Sequence, residues 1–188
     1  MPQVKSLTFA TMRDFLPERL GPDRWQRLRD ELDPDVLALL DEVEPGTWVA
    51  EDHMHQLMAA MYRRALDADD EAFLAVVRGL AAAGISRFMR VFLGLTSARF
   101  VLKKVPVVWR QLRRNAGEVE SVVEGQRVRV RYRGFPYFAE PAYRLLSLGN
   151  CQALAFAASS RIPQGTIGAW GGDHLELEFD LAANPDDA

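Results

Sequence analysis

The chain has 188 residues, the size of one ordinary globular domain. Its hydrophobic fraction of 48% and charged fraction of 26% are those of a soluble globular protein. One cysteine excludes a disulfide framework and any multi-cysteine zinc or iron–sulfur site built from this chain alone. No apolar run reaches the roughly 18 residues of a membrane helix, and the N-terminus does not read as a signal peptide. We therefore expect a cytoplasmic protein without a membrane span.

The net charge of −3 conceals two regions of opposite charge. Residues 87–133 contain twelve basic and three acidic residues, a local balance of +9, whereas the rest of the chain has a balance of −12. Such segregation favours an acidic partner, a phosphate-bearing ligand, or pairing within the protein or between two copies of it. Nucleic acid is not expected as a partner, because the overall charge is negative and no recognised binding motif accompanies the basic stretch.

The first 115 residues are predicted to form five or six helices. Apolar residues recur every three or four positions over residues 9–20, 22–32, 34–44, 48–66, 70–92 and 98–115. Pro106 predicts a kink or a break in the last of these. The helix over 70–92 is apolar around most of its surface, which is typical of a central helix. Gly79 and Gly84 lie inside it, and the close approach of another helix or of a ligand explains them best.

After residue 117 the hydrophobic period changes from that of a helix to that of a strand. Strands over 118–123 and 126–133 are predicted around a turn at Glu124–Gly125, followed by a helix over 141–159 and strands over 164–170 and 174–181. The pattern predicts an α+β fold, in which an N-terminal helical layer precedes a ββαββ four-stranded antiparallel sheet. We expect one domain over residues 1–181 and a frayed tail over 182–188.

Three segments and the order of the elements carry a family resemblance over nearly the whole chain. The segments are PGTWVAEDHMHQLMAAMYR (45–63), TSARFVLKKVPVVWRQLRRNAGEVE (96–120) and GGDHLELEFDL (171–181). The chain resembles the NO-signalling/Golgi-transport ligand-binding fold, shared by haem-nitric-oxide sensor domains, 4-vinyl-reductase domains and TRAPP vesicle-tethering subunits. More narrowly, it is similar to an uncharacterised paralogous family of myxobacteria. The resemblance implies this fold and the binding of a small apolar ligand or a partner protein.

The cofactor motifs of these families do not carry over. Haem-nitric-oxide domains use a histidine before the sheet and a Tyr-x-Ser-x-Arg clamp, but that motif is missing and no histidine lies between His55 and His174. The 4-vinyl-reductase domains place a zinc-ligand cysteine after a Gly-Asp pair, whereas Gly172–Asp173 is followed here by His174. Cys151 matches no motif of the acyl-binding tethering subunits. We therefore predict no cofactor and no metal.

The residues that could carry chemistry have simpler interpretations. His53 and His55 face apart on a helix and could chelate a metal only on a strand or turn, so we expect exposed or capping histidines. Cys151 shares a helical face with apolar residues and is predicted to be a small buried hydrophobe rather than a nucleophile. An acid–base group and a solvated strand face are the two alternatives for Asp173, His174 and Glu176.

The predicted function is that of a non-enzymatic sensory domain that holds a small apolar ligand between the helix over 70–92 and the sheet and signals to a partner. The alternative is a protein-interaction or assembly module without a ligand, which forms a homodimer or binds an acidic partner. An enzyme is disfavoured, because the spacing assembles no nucleophile, base and orienting group. The predicted partner surface is the arginine face of one strand, formed by Arg127, Arg129, Arg131 and Arg133. The predicted pocket consists of aromatic and methionine side chains, which could equally be core: Phe88, Met89, Phe92, Trp109, Phe156 and Trp170.

Overall fold

A computed structural model of the protein describes residues 1–42, 44, 46–85 and 96–182. Phe88, Met89 and Phe92 of the predicted pocket and tail residues 183–188 lie outside the described part. Within the described part, no helix is both long and apolar enough to cross a membrane.

The helices and strands follow the order expected for an α+β fold. The helices are α1 (Leu7–Leu20), α2 (Pro22–Arg29), α3 (Pro34–Glu42), α4 (Glu51–Ala60) with a π-helical turn after it (Met61–Ala65), α5 (Asp70–Gly84), α6 (Ala98–Lys103), α7 (Val105–Leu112) and α8 (Pro141–Ser159). The strands are β1 (Gln3–Lys5), β2 (Trp48–Ala50), β3 (Arg113–Arg114), β4 (Glu118–Glu124), β5 (Arg127–Arg133), β6 (Gln164–Trp170) and β7 (His174–Asp180).

The predicted four-stranded sheet is confirmed. Its order is β4-β5-β7-β6, and all neighbouring strands are antiparallel. Strict alternation places apolar side chains on the inner face, which α6, α7 and α8 cover. The inner-face residues of the two central strands are at most 3% exposed, and they are Val128, Val130, Tyr132, Leu175, Leu177 and Phe179.

A second, three-stranded sheet of order β2-β1-β3 was not predicted. The helix predicted over 48–66 begins instead with strand β2, and the helix predicted over 98–115 ends at Leu112, where strand β3 begins. Both strands pair with β1, in the registers Val4 with Val49 and Val4 with Arg113. Segments of two or three residues have no measurable hydrophobic period, so only the tertiary pairing reveals them.

Three other predictions concern helix and turn boundaries. The break at Pro106 is confirmed, because α6 ends at Lys103 and α7 starts at Val105. The tight turn lies one residue later than predicted, since Glu124 pairs with Arg127 around Gly125, whose φ is +60°. The central helix ends at Gly84, and Ile85 is extended with ψ 111°, so the predicted helix over 70–92 stops there in the described part.

Glycines allow α5 to approach its two neighbouring helices closely. A Cβ atom at Gly79 would lie 2.6 Å from the ring of Phe15 in α1. A Cβ atom at Gly149 in α8 would lie 2.7 Å from Cγ1 of Val77 in α5. At Gly84 the nearest atom would be 3.9 Å away, which is an ordinary contact. Close helix packing therefore explains Gly79 but not Gly84.

Gly149 in α8 and Gly84 in α5 give a matched pair of substitutions. Gly149→Ala should lower the free energy of unfolding by about 1–3 kcal/mol, because Val77 is a stiff side chain that must move. Gly84→Ala should leave it unchanged or raise it by up to about 1 kcal/mol. Urea unfolding of both variants measures this difference, and equal effects would contradict the tight contact between α5 and α8.

Candidate functional site

The three described members of the predicted pocket differ in exposure. Trp109 on α7 is 8% exposed, and its indole Nε1 donates a hydrogen bond to the carbonyl oxygen of Ala116 at 3.2 Å. Phe156 on α8 and Trp170 on β6 are 46% and 51% exposed. The guanidinium of Arg144 lies 3.8 Å from the centre of the Trp170 ring. A pocket shared by these three residues stays a prediction.

Helix α8 lies where the ligand was expected. Helix α5 packs against α1 and α8, and α8 in turn packs against β6. Cys151 on α8 reaches Tyr132 on the inner face of the sheet, where Sγ and the hydroxyl are 3.6 Å apart. In the described part, helix α8 therefore fills the space between α5 and the sheet.

Aromatic side chains fill the neighbouring space between α7, β5 and the loop of residues 134–140. Trp109 contacts Tyr132 and Phe135 edge to face, with ring centres 5.1 Å apart in both pairs. Phe138 contacts Tyr132 and Phe135 in the same way, at 5.5 and 5.2 Å. Edge-to-face pairs of this kind contribute beyond the area that they bury. All four residues are buried, so this aromatic cluster is part of the described core.

A buried ion pair joins the helical layer to the aromatic cluster. Glu51, the first residue of α4, is fully buried, and its Oε1 accepts hydrogen bonds from Nε of Arg113 at 3.2 Å and from the hydroxyl of Tyr143 at 2.9 Å. The Arg113 guanidinium, whose side chain is 8% exposed, lies 4.4 Å from the ring centre of Trp109. Burial and the nearby Glu51 carboxylate raise the pKa of Tyr143 well above its usual value. Among the described residues, the second oxygen of Glu51, Oε2, is buried and has no hydrogen-bond partner.

One turn along α4 from Glu51, His55 borders a surface hollow of about 250 Å³. Its ring lies 5.0 Å from that of Tyr137 and 5.8 Å from that of Tyr143. The hydroxyl of Tyr137 donates a hydrogen bond to Asp52 at 2.6 Å, and burial together with this carboxylate raises the pKa of Tyr137. The residues that line this His55 hollow are His55, Pro136, Tyr137, Ala139 and Glu140. The polar groups that they offer are the imidazole of His55, the phenol of Tyr137 and the carboxylate of Glu140.

Neighbouring carboxylates surround the predicted arginine surface. In register with the four arginines of β5 lie Glu118, Glu120 and Glu124 on β4 and Glu176, Glu178 and Asp180 on β7. Arg129 pairs with Glu178 at 3.0 Å, and Arg131 pairs with Glu176. Pairing within the protein, one of the alternatives from the sequence, therefore holds for Arg129 and Arg131. Arg127 and Arg133, at the two ends of the strand, stay exposed.

A second hollow, of about 280 Å³, lies over one end of this outer face. Arg127 and Arg129 line it together with Glu124, Glu178 and Asp180, so its wall carries both signs of charge. A surface of this kind is a solvated, internally paired face rather than a site for one kind of ion.

Cys151 and His174 occupy the simpler of their expected environments, whereas His53 and His55, expected to be exposed or capping, are half-buried within α4. Cys151 is 1% exposed, and burial raises the pKa of its thiol to about 12, so it is not a thiolate nucleophile at neutral pH. His174 is exposed and contacts Asp173 at 3.2 Å. His53 and His55 both lie on α4, where they face apart. Among the described residues, no three side chains are grouped as metal ligands.

Sequence reasoning missed the ion pair and the His55 hollow. Glu51 and Arg113 are 62 positions apart, and each lies in a segment that was predicted to be an ordinary helix. The one available signal was an acidic residue at a helix start, which usually means only a favourable interaction with the helix dipole.

The fold is that of H-NOX proteins. The chain is similar to a variant of the Fe(II) unliganded H-NOX protein from K. algicida, with a TM-score of 0.68, 13% identity and coverage of 98% of this chain and 100% of that one. It is also similar to an H-NOX protein from S. oneidensis in the Fe(II) ligation state, with a TM-score of 0.60, 16% identity and coverage of 97% and 98%. A Cs H-NOX mutant matches with a TM-score of 0.64, 14% identity and coverage of 96% and 98%. No protein-family model and no curated protein matches the sequence.

The residues present do not fit a haem. Histidine and cysteine are two of the common axial ligands of haem iron, and the sequence has three histidines and one cysteine. His174 is exposed at a strand end, His53 and His55 lie on α4, and the Cys151 thiol is buried against Tyr132. None of the four faces an open interior space in the described part, because the aromatic cluster and α8 fill the region between helices and sheet.

The buried ion pair predicts a large and specific loss of stability. Arg113→Met should lower the free energy of unfolding by about 3–5 kcal/mol, because it leaves the Glu51 carboxylate buried and uncompensated. The double variant Glu51→Leu/Arg113→Met should recover most of this loss. Arg129→Met, which removes a half-exposed pair on the outer face, is the matched control and should cost at most about 1 kcal/mol. Equal losses from Arg113→Met and Arg129→Met would contradict the assignment.

The burial of Cys151 predicts a protected thiol. At pH 8 a disulfide reagent should leave native protein unmodified and label Cys151 only as the chain unfolds in urea, because the thiol is buried with a pKa of about 12. In Gln126→Cys, which adds a thiol in an exposed turn, one thiol should react at once and the other stay protected. Fast labelling of Cys151 in the native protein would contradict its placement.

Proposed function

We propose that this chain is a non-enzymatic sensory or signalling domain that keeps the H-NOX fold without its haem and acts through contact with a protein partner. The observation that carries the proposal is the packed aromatic cluster in the described interior, in which Trp109, Tyr132 and Phe138 are each at most 8% exposed. A domain of this fold that holds no cofactor would signal through the contacts that its surface makes with a partner protein.

The surface offers two kinds of contact for a partner. The outer face of the sheet presents four arginines between six carboxylates, a pattern that contributes specificity more than affinity. The His55 hollow presents Tyr137 and the Glu140 carboxylate beside an imidazole, which suits a polar side chain of a partner protein. We assign the signalling contact to surfaces of this kind.

Haem reconstitution tests the proposal. The protein, expressed with added haem precursor and then titrated with haemin, should purify without a Soret band and bind no stoichiometric haem. Arg113→Met, which is expected to destabilise the fold, serves as a control for non-specific uptake by loosened protein. One haem per chain with a Soret band that shifts on addition of nitric oxide would overturn the proposal.

A small apolar ligand is the second candidate function. It is favoured by large apolar side chains that remain open to solvent on α6 and α8, where Phe100 and Phe156 are each 46% exposed. Beside them lies a small separate apolar cluster, in which Val101 and Ala158 are buried and Ile85 is packed. An apolar ligand bound here would gain free energy by covering these rings.

Native mass spectrometry of protein purified from its own host separates the two candidates. A bound small molecule that leaves on denaturation, and that Phe156→Ser no longer retains, would support the apolar ligand. Protein of unmodified mass, with or without a bound partner chain, would support the contact-based function. Trp25→Ser, on α2 away from this cluster, controls for general destabilisation by loss of an aromatic residue.

A further inference from the structure

Apart from the buried Arg113, the cations of residues 96–133 form two groups with different surroundings. The four arginines of β5 lie between six carboxylates of β4 and β7. Helices α6 and α7 and strand β3 carry five further cations, all of them exposed: Arg99, Lys103, Lys104, Arg110 and Arg114. In the part of the chain that the structure describes, none of these five forms an ion pair with a carboxylate.

The acidic residues that follow these helices in the sequence lie on the opposite face of the sheet. Residues 96–117 include no aspartate or glutamate. Strand β4, which contacts both helices, places Glu118 opposite Arg133 and Glu120 opposite Arg131, on the outer face of the sheet. Because α6 and α7 cover the inner face, the carboxylates of β4 leave the cations of these helices uncompensated.

The exposed residues of α6 and α7 form one stripe along the two consecutive helices. Exposed positions recur every three or four residues from 99 to 111, and the positions between them pack towards the core. Two of the exposed residues are apolar, since Phe100 is 46% and Val107 is 40% exposed. The Lys104 ammonium lies 5.5 Å from the centre of the Phe100 ring, so charge and apolar surface are adjacent. This cationic stripe consists of Arg99, Phe100, Lys103, Lys104, Val107 and Arg110.

The chemistry of the cationic stripe suits an acidic lipid surface. Each lysine or arginine near an acidic bilayer strengthens binding by about fivefold. Long basic side chains can keep their charges at the lipid phosphates while neighbouring apolar residues enter the headgroup region. Protein partners usually bury anchor residues in pockets, but no residue of the stripe lines either of the two hollows described above. A fluid bilayer accommodates a convex helix face without a pocket, so these observations favour lipid over an acidic protein segment.

We propose that the cationic stripe docks this protein on acidic bilayer surfaces, with its cations on the lipid phosphates and Phe100 and Val107 in the headgroup region. The acidic residues elsewhere on the chain oppose docking only weakly, because charges more than about 8 Å from the bilayer are largely screened at physiological salt. The inference goes beyond the proposed function, since it assigns the place where the protein acts and involves neither haem nor a protein partner.

Vesicle flotation tests the docking with a matched pair of double variants. Wild-type protein should bind phosphatidylcholine vesicles that contain one third phosphatidylglycerol, and it should not bind vesicles of phosphatidylcholine alone. Lys103→Gln/Arg110→Gln should bind the acidic vesicles about 25-fold more weakly, because two cations of the stripe are removed. Arg127→Gln/Arg133→Gln removes the same net charge from exposed positions of the outer face, and it should bind as tightly as wild type.

Two results of this experiment would overturn the proposal. One is wild-type protein that does not bind the acidic vesicles. The other is an equal loss of binding in the two double variants, which would assign the attraction to net charge rather than to the stripe. All four substituted side chains are exposed, so the melting temperatures should be unchanged.

A fluorescent label tests whether the apolar residues of the stripe enter the bilayer. Val107→Cys can be labelled with a solvent-sensitive fluorophore while Cys151 is protected by burial. The label should brighten when acidic vesicles are added and should be quenched by lipids that are brominated near the headgroup. The same label at Gln126→Cys, in the exposed turn, should do neither. A Val107→Cys label that stays in water on bound protein would overturn the proposal.

Soluble polyglutamate distinguishes lipid from an acidic protein segment. Wild-type protein should bind acidic vesicles more tightly than polyglutamate, because the polymer offers no apolar layer to Phe100 and Val107. Tighter binding of polyglutamate, with the same loss in Lys103→Gln/Arg110→Gln, would overturn the membrane and assign the stripe to an acidic protein partner.

Discussion

The structure depends on one buried interaction, the ion pair of Glu51 with Arg113. Strand β2 ends one residue before Glu51, strand β3 begins at Arg113, and both pair with β1. The three-stranded sheet therefore brings the two charges together. Tyr143 on α8 donates a further hydrogen bond to Glu51. Because an unpaired buried charge is costly, the positions of α4, β3 and α8 are fixed relative to one another. The aromatic cluster around Trp109 packs against this ion pair through the contact of Arg113 with the Trp109 ring.

The same ion pair explains why the described interior beside it is packed with side chains. Arg113 lies against Trp109, and the ring of Trp109 contacts Tyr132 and Phe135, so these side chains join α7 to the four-stranded sheet. The H-NOX structures share this fold at 13–16% identity, which is a likeness of architecture alone. In the described part of this chain the aromatic cluster is packed and buried, and on that ground we propose that its surfaces carry its function, among them the His55 hollow and the charged outer face.

The parts of the fold that sequence could predict are those with a long, regular period. The alternation of Val128, Val130 and Tyr132 predicted the sheet and its buried face, and Pro141 predicted the start of α8 at the residue where it begins. The small sheet could not be predicted, because its strands are two or three residues long. The ion pair of Glu51 with Arg113 could not be predicted either. No local sequence feature distinguishes a glutamate at a helix start that is fully buried, as Glu51 is, from one that is solvated. The arginine face of β5 was predicted, but its neutralisation depends on the register of β5 with β7.

The central claim is that the interior of the native protein is closed by its own residues. Thermal unfolding with and without a large excess of haemin tests this claim most directly, because any ligand that binds only the native state raises its melting temperature by mass action. We predict a melting temperature that does not change with haemin concentration. A melting temperature that rises with haemin and saturates at one equivalent per chain would show that the native interior opens to a cofactor, and it would contradict the account.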